Sequence, residues 1–232
     1  MNLIRPLFAL VGTLALATAS LQGQTYTEIG DAGQTLGGAQ TTGPTSGQTL
    51  NTIFGTIGNG GDADMFIITL TAPTTFSATT TFGGLTLLDT ALFLFNSSGQ
   101  AIYTNDDASG TSVQSTLPSG SSFTMSLAAG VYYLGISLSG NEAVNLNGQL
   151  LFAAYTNGDP TSVRGRAAGL NPNTHANFNG LTSFAESGAY RIDLTATATA
   201  NAIPEPSTAA LCLAGAAGVA VFVRRRRNSA SA

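Results

Sequence analysis

The chain contains no lysine and no tryptophan, a single histidine and a single cysteine, and only 9% of its 232 residues are charged. Soluble domains ordinarily carry about 25% charged residues. Here Thr, Ser, Ala and Gly fill the gap, a composition that suits an extracellular β protein better than a cytosolic enzyme. All eight cations are arginines: Arg5, Arg164, Arg166, Arg191 and the block Arg224 to Arg227. Between Ser20 and Ile203 eleven Asp and Glu stand against three Arg, a net charge of eight negative. That balance argues against a nucleic-acid partner, because phosphate binding needs clustered cations. The lone His175, with no G-x-S-x-G stretch in the chain, leaves a Ser-His-Asp triad without its parts. With one cysteine, Cys212, no disulfide forms within the chain.

The two ends read as export signals. Met1-Asn2-Leu3-Ile4-Arg5, an apolar run over 7–17 and Ala17-Thr18-Ala19 have the layout of a signal peptide spanning 1–19, cleaved after Ala19 or after Gly23. At the other end Pro204-Glu205-Pro206 precedes an apolar segment over 208–223 and then Arg224 to Arg227. The segment falls short of the ~20 residues of a stable transmembrane helix, and the arginines hold its end in the cytoplasm. It is therefore expected to anchor the chain in the inner membrane only transiently, with Cys212 buried inside it. These features in this order resemble the PEP-CTERM sorting signal of Gram-negative bacteria, here over 204–232. The resemblance implies recognition by an exosortase, removal of the tail near Pro-Glu-Pro, and delivery to the cell surface or exopolysaccharide matrix. What lies between, residues 20–203, has the length of one domain.

Within that domain the organising stretch is 85–107. Two runs rich in apolar, aromatic and β-branched residues, 85–95 and 100–104, flank Asn96-Ser97-Ser98-Gly99 and predict a β-hairpin. The first run is apolar on both faces, as is expected here of a central strand in a two-layer sandwich. Strand signals recur at 53–57, at 62–70 with Phe66, Ile68 and Leu70 in phase, and at 74–82 with Phe76, Ala78, Thr80 and Phe82 in phase. They continue at 122–127, 131–138 and 149–155, and a closing strand over 188–199 alternates Tyr190, Ile192 and Leu194. The Asn-, Gly- and Pro-rich stretch 156–187 is the longest irregular one, of a length usually tied to function or mobility. Eight or nine strands and no helix predict an all-β fold, an antiparallel β-sandwich of jelly-roll type.

Four stretches carry a second resemblance: Asp62-Ala63-Asp64-Met65-Phe66, Asp89-Thr90-Ala91-Leu92-Phe93-Leu94-Phe95, Asn105-Asp106-Asp107 and Ala129-Gly130-Val131-Tyr132-Tyr133-Leu134. Their order and spacing over 53–139 resemble the bacterial pre-peptidase C-terminal domain and its relatives. The resemblance implies a β-sandwich accessory module of a secreted protein, some relatives binding calcium or extracellular polymers. No peptidase is attached here, and the 156–187 stretch has no place in the family's short core.

The residues themselves also point to a cation. Calcium takes six to eight hard oxygens, and Asp62, Asp64, Asp89, Asn105, Asp106 and Asp107 gather at predicted strand ends. The competing reading makes them turn formers that cap backbone amides. Asp106 and Asp107 can serve one ion only if the chain has already turned, since neighbours on a regular strand point to opposite faces. His175 is expected in a solvated loop. Of Tyr132 and Tyr133 one must face the core, leaving at most the other for a sugar. The sequence thus predicts a non-enzymatic, exported binding or adhesion module with calcium as candidate cofactor. A glycan-active enzyme built on paired carboxylates and a purely structural matrix component are the alternatives.

Overall fold

The computed structural model describes residues 23–43, 48–81, 88–181 and 186–199. The signal segment 1–19, Phe82, Pro204, Glu205, Pro206, the apolar segment 208–223 and the arginine tail lie outside the described residues. In chain order the strands are β1 (Gln24–Thr27), β2 (Gln40–Thr41), β3 (Leu50–Ile57), β4 (Ala63–Leu70) and β5 (Ser77–Thr79). The central hairpin supplies β6 (Thr90–Asn96) and β7 (Ala101–Asn105), and β8 (Thr116–Leu117) and β9 (Gly130–Leu138) follow. Three two-residue strands, β10 (Ala143–Val144), β11 (Arg164–Gly165) and β12 (Asn177–Phe178), precede β13 (Gly188–Thr195) and β14 (Thr197–Thr199). Among the described residues there is no α-helix, and no helix is long and apolar enough to cross a membrane.

One sheet runs β1-β3-β13-β5-β8. The other runs β11-β7-β6-β9-β4, with β2 and β14 placed one after the other along the outer edge of β4. Most pairings are antiparallel, as expected, but β1 lies parallel to β3 and β2 parallel to β4. Both parallel strands come from the Gly-, Thr- and Gln-rich segment before β3, where isolated apolar residues gave no strand signal. The predicted closing strand over 188–199 is two strands in different sheets. The chain breaks at Ala196, whose φ of 55° is left-handed, and there it steps from β13 in one sheet to β14 in the other. A non-glycine residue in that conformation costs about 1–2 kcal/mol. The Ala196 carbonyl accepts a hydrogen bond from the Thr71 amide at 2.9 Å, which helps hold the step.

The period-two pattern of β4 sorts its side chains between two cores. Phe66, Ile68 and Leu70 face the other sheet and join Leu92, Leu94, Leu134, Ile136, Ile53, Tyr190 and Ile192. Ala63, Met65 and Ile67 face away, toward Phe93, Phe95, Tyr133, Leu151, Phe152 and Phe178. The double-faced apolar run of the hairpin is thereby explained, and a third layer covers it. That layer is built from residues of 141–181, so the stretch expected to be an irregular loop is a packed cover. The short strand β11 pins it to the sheet by pairing with β7, and within the layer β12 pairs with β10. Phe178 meets Phe93 edge-on with ring centroids 5.3 Å apart, a geometry that adds to simple burial.

Other expectations are corrected. Residues 122–127 form turns closed by local bonds, Thr124 N to Ser121 O at 3.1 Å and Leu127 N to Thr124 O at 3.2 Å, and Met125 is exposed. Alternation there marks Phe123 packing on Tyr103 rather than a strand. Of 149–155 only the isolated bridges Leu150 to Val144 and Phe152 to Arg166 pair. The start of 74–82 is a 3-10 turn at Pro73–Thr75, as its proline favours, yet Phe76, Ala78 and Thr80 are buried in phase as predicted. His175 is buried rather than solvated, its ring tilted against Phe95 and edge-on to Phe178. Tyr132 and Tyr133 do point to opposite faces, and both faces are covered, so neither is free for a sugar.

Candidate functional site

Two separate carboxylate groups emerge from the six predicted residues. The first follows from the register of the central hairpin. Antiparallel pairing of Leu92 with Asn105 places Asp89, just before β6, beside Asp106 and Asp107, just after β7. A bend at Asp106 lets both neighbours reach the same place. Ligand oxygens of Asp89, Asp106 and Asp107 all lie within 4.8 Å of one another. Strand β9, the other neighbour of β6, ends there too, and the Ser139 amide donates to the Asp89 carbonyl at 3.0 Å.

Asp106 is buried, and its Oδ2 accepts from Ser139 Oγ at 3.0 Å and from the Tyr155 hydroxyl at 2.6 Å. Its Oδ1 is buried with no hydrogen-bond donor among the described residues, and so is Asp89 Oδ1. Such orphans are costly, because a buried acceptor without a partner forfeits its hydration. Burial, then the charges of Asp106, Asp107 and Glu186, push the Asp89 carboxyl up to about 6. Burial, then Asp106 and Asp159, push Asp107 upward as well. Asn105 is placed next to this group but spends both ends of its amide elsewhere: Nδ2 donates to Thr161 O at 3.2 Å and Oδ1 accepts from Thr116 N at 2.9 Å.

The second group lies at the start of β4. Asp64 is fully buried and shares the inward parity of Phe66. Its ligand oxygen lies within 4.8 Å of those of Glu28 and Asp31, residues for which the sequence held no signal. Asp64 Oδ2 accepts from the Tyr190 hydroxyl at 2.7 Å, while Oδ1 is buried without a donor. Burial raises Asp64 to about 8; the Tyr190 bond opposes that rise, and the charges of Glu28, Asp62 and Asp31 add to it. Glu28 is held by the amides of Ala32 and Thr56, each at 2.8 Å. Gly55 makes room for this arrangement, since a Cβ there would stand 2.2 Å from the Tyr190 hydroxyl and 2.6 Å from Glu28 Oε2. Asp62 turns away to accept from the Gly58 amide at 2.6 Å, closing the turn before β4.

Both groups present hard oxygen donors of the kind that hold calcium or magnesium. Neither supplies a nucleophile with its base. His175 Nε2 lies 2.9 Å from the Gln34 carbonyl and Nδ1 has no partner, so no carboxylate orients the ring. Burial holds its pKa below the usual range. No aromatic side chain is fully exposed among the described residues, and Tyr26, Phe54, Phe123 and Tyr155 are half-buried.

The comparisons with known proteins concern the other end of the chain. Residues 202–227 match the family model described as the PEP-CTERM protein-sorting motif. The chain carries an exosortase sorting signal. The PEP-CTERM motif marks the protein as exosortase-processed and displayed outside the bacterial cell. No curated protein and no solved structure matches the chain.

Proposed function

We propose that the processed chain is a non-enzymatic β-sandwich module of the surface or exopolysaccharide matrix of a Gram-negative bacterium, where it serves binding or adhesion and is stabilised by calcium. The observation that carries this reading is the sorting motif at 202–227 joined to an all-β domain. The stretches around Asp62, Asp89, Asp106 and Tyr132 support kinship with the pre-peptidase C-terminal sandwiches and with a jelly-roll arrangement. A net charge of eight negative between Ser20 and Ile203, with two groups of close carboxylates, favours an environment rich in divalent cations. The buried character of Asp64 and Asp106 speaks against a hydrolase, whose carboxylates must reach a sugar.

A second reading, a structural component of the matrix with no sugar ligand, is favoured by the lack of fully exposed aromatic rings among the described residues. The processed protein, applied to a glycan array and to polysaccharide-hydrolysis assays, separates the readings. Sugar binding without turnover supports the binding module, and neither activity supports the structural component. Turnover abolished by one Asp substitution would overthrow both.

A further inference from the structure

The acidic end of the hairpin is tied to the outer layer by three direct hydrogen bonds. The Tyr155 hydroxyl donates to Asp106 Oδ2, the Thr161 carbonyl accepts from Asn105 Nδ2, and the Pro160 carbonyl accepts from the Asp107 amide at 3.2 Å. Immediately beyond, Arg164 and Gly165 pair with Thr104 and Tyr103 of β7. Every residue of the Asn105-Asp106-Asp107 triplet is thus bonded to the segment 155–165, which otherwise consists of turns.

The charges in this junction do not balance. Asp89, Asp106 and Asp107 meet within 4.8 Å, and Asp159 lies close enough for its charge to act on Asp107. The nearby cation is Arg164, and its guanidinium is already committed: Nη2 lies 2.7 Å from Glu142, while the group stacks 4.0 Å over the Tyr155 ring. Two buried oxygens, Asp89 Oδ1 and Asp106 Oδ1, are left with no donor among the described residues. Asp106 is 3% exposed, and its Oδ2 is taken by Ser139 and Tyr155, so Oδ1 is the oxygen it has to offer. A divalent cation supplies what both orphaned oxygens and the unbalanced charge call for, and among the described residues no donor does.

We propose that Asp89, Asp106 and Asp107 together hold one calcium ion, and that this ion fastens residues 155–165 to the end of the sheet. The inference rests on the calcium-stabilised reading above and assigns that role to one place and one consequence. Three carboxylates leave room for water on an ion that takes six to eight oxygens, consistent with a weak site suited to extracellular calcium. Opening of 155–165 strains or breaks the bonds to Asp106 and Asp107, so the bound ion and the closed segment stabilise each other.

Hydrogen exchange of the processed protein, measured with calcium chloride from zero to tens of millimolar and with magnesium chloride at matched ionic strength, tests this. Calcium is expected to slow exchange of the amides in 155–165 at least about tenfold, more than magnesium does. Asp107→Asn, at a half-buried position, is expected to abolish that protection, and Asp89→Asn to do the same. Asp64→Asn is expected to leave it intact. Unchanged exchange in 155–165 at saturating calcium overturns the proposal, as does protection that survives Asp107→Asn. If calcium raises the melting temperature of the protein while 155–165 stays unprotected, this inference fails and the broader calcium reading stands.

Discussion

The hydroxyl of Tyr190, on β13 of one sheet, donates to Asp64 Oδ2, on β4 of the other, at 2.7 Å. It is a polar bond across the interior of the sandwich, between residues that are both buried. Its stability depends on the protonation of Asp64. A carboxyl raised from 3.8 to about 8 favours folding fully below pH 4 and loses that contribution as pH rises through about 8. His175 acts in the opposite sense but lower: its pKa is held below 6.5, so its penalty appears as pH falls toward and below that value. In chelator, the melting temperature should therefore fall between pH 6.5 and 9, by roughly 4–8 °C for about 2 kcal/mol at ~2–4 °C per kcal/mol. Asp64→Asn should flatten the profile. A melting temperature constant over that range in the parent protein would contradict the assignment.

Arg164 and Glu142 form the most buried ion pair among the described residues, with side chains 3% and 12% exposed. Removing one partner leaves a buried charge unpaired, which costs about 3–5 kcal/mol, whereas replacing both by apolar residues of similar size is often close to neutral. Arg164→Met is expected to destabilise the protein strongly in urea, and Arg164→Met with Glu142→Leu to recover most of the loss. Equal destabilisation by the single and the double variant would mean that stacking on Tyr155 and the bond to Ala153, rather than the pair, carry the effect.

The sequence exposes what is periodic and hides what depends on distant partners. Phe66, Ile68 and Leu70 declared an inward face by their spacing, and Phe93 and Phe95 made β6 apolar on its outer face too, a pattern that fits a two-layer sandwich only if something further covers it. The identity of the second cover was hidden, because Leu151, Phe152 and Phe178 are scattered through an Asn- and Gly-rich stretch with no period of its own. The alternation at 122–127 imitates a strand because periodicity reports burial and not pairing. Among the acids, Asp89, Asp106 and Asp107 were within reach because one hairpin register joins them. Glu28 and Asp31 were not, since only the parallel pairing of β1 with β3 brings that segment beside Asp64.

Sorting gives a prediction independent of the domain. Replacing Pro204, Glu205 and Pro206 by alanine removes the part of the matched motif that precedes the apolar segment. The variant is expected to stay membrane-retained and unprocessed in its host, as read by fractionation and by mass spectrometry of the C-terminus. Normal release would refute recognition of Pro204-Glu205-Pro206.

Calcium should stabilise the domain in proportion to the two carboxylate groups. A ligand that binds only the folded state contributes about 2.7 kcal/mol at a hundredfold excess over Kd. For a domain of this length that is a rise in melting temperature of roughly 5–10 °C. Extracellular sites commonly bind at ~10⁻⁴ to 10⁻³ M, so the titration must reach tens of millimolar. Calcium is expected to raise the melting temperature more than magnesium at matched ionic strength, because three irregularly placed carboxylates suit a large, flexible coordination sphere better than an octahedron. Asp64→Ala and Asp107→Ala should each remove part of the difference, and the double variant all of it, since the two residues belong to separate groups and distant sites add. Identical responses to the two ions, or none, would return these aspartates to the role of turn formers and caps.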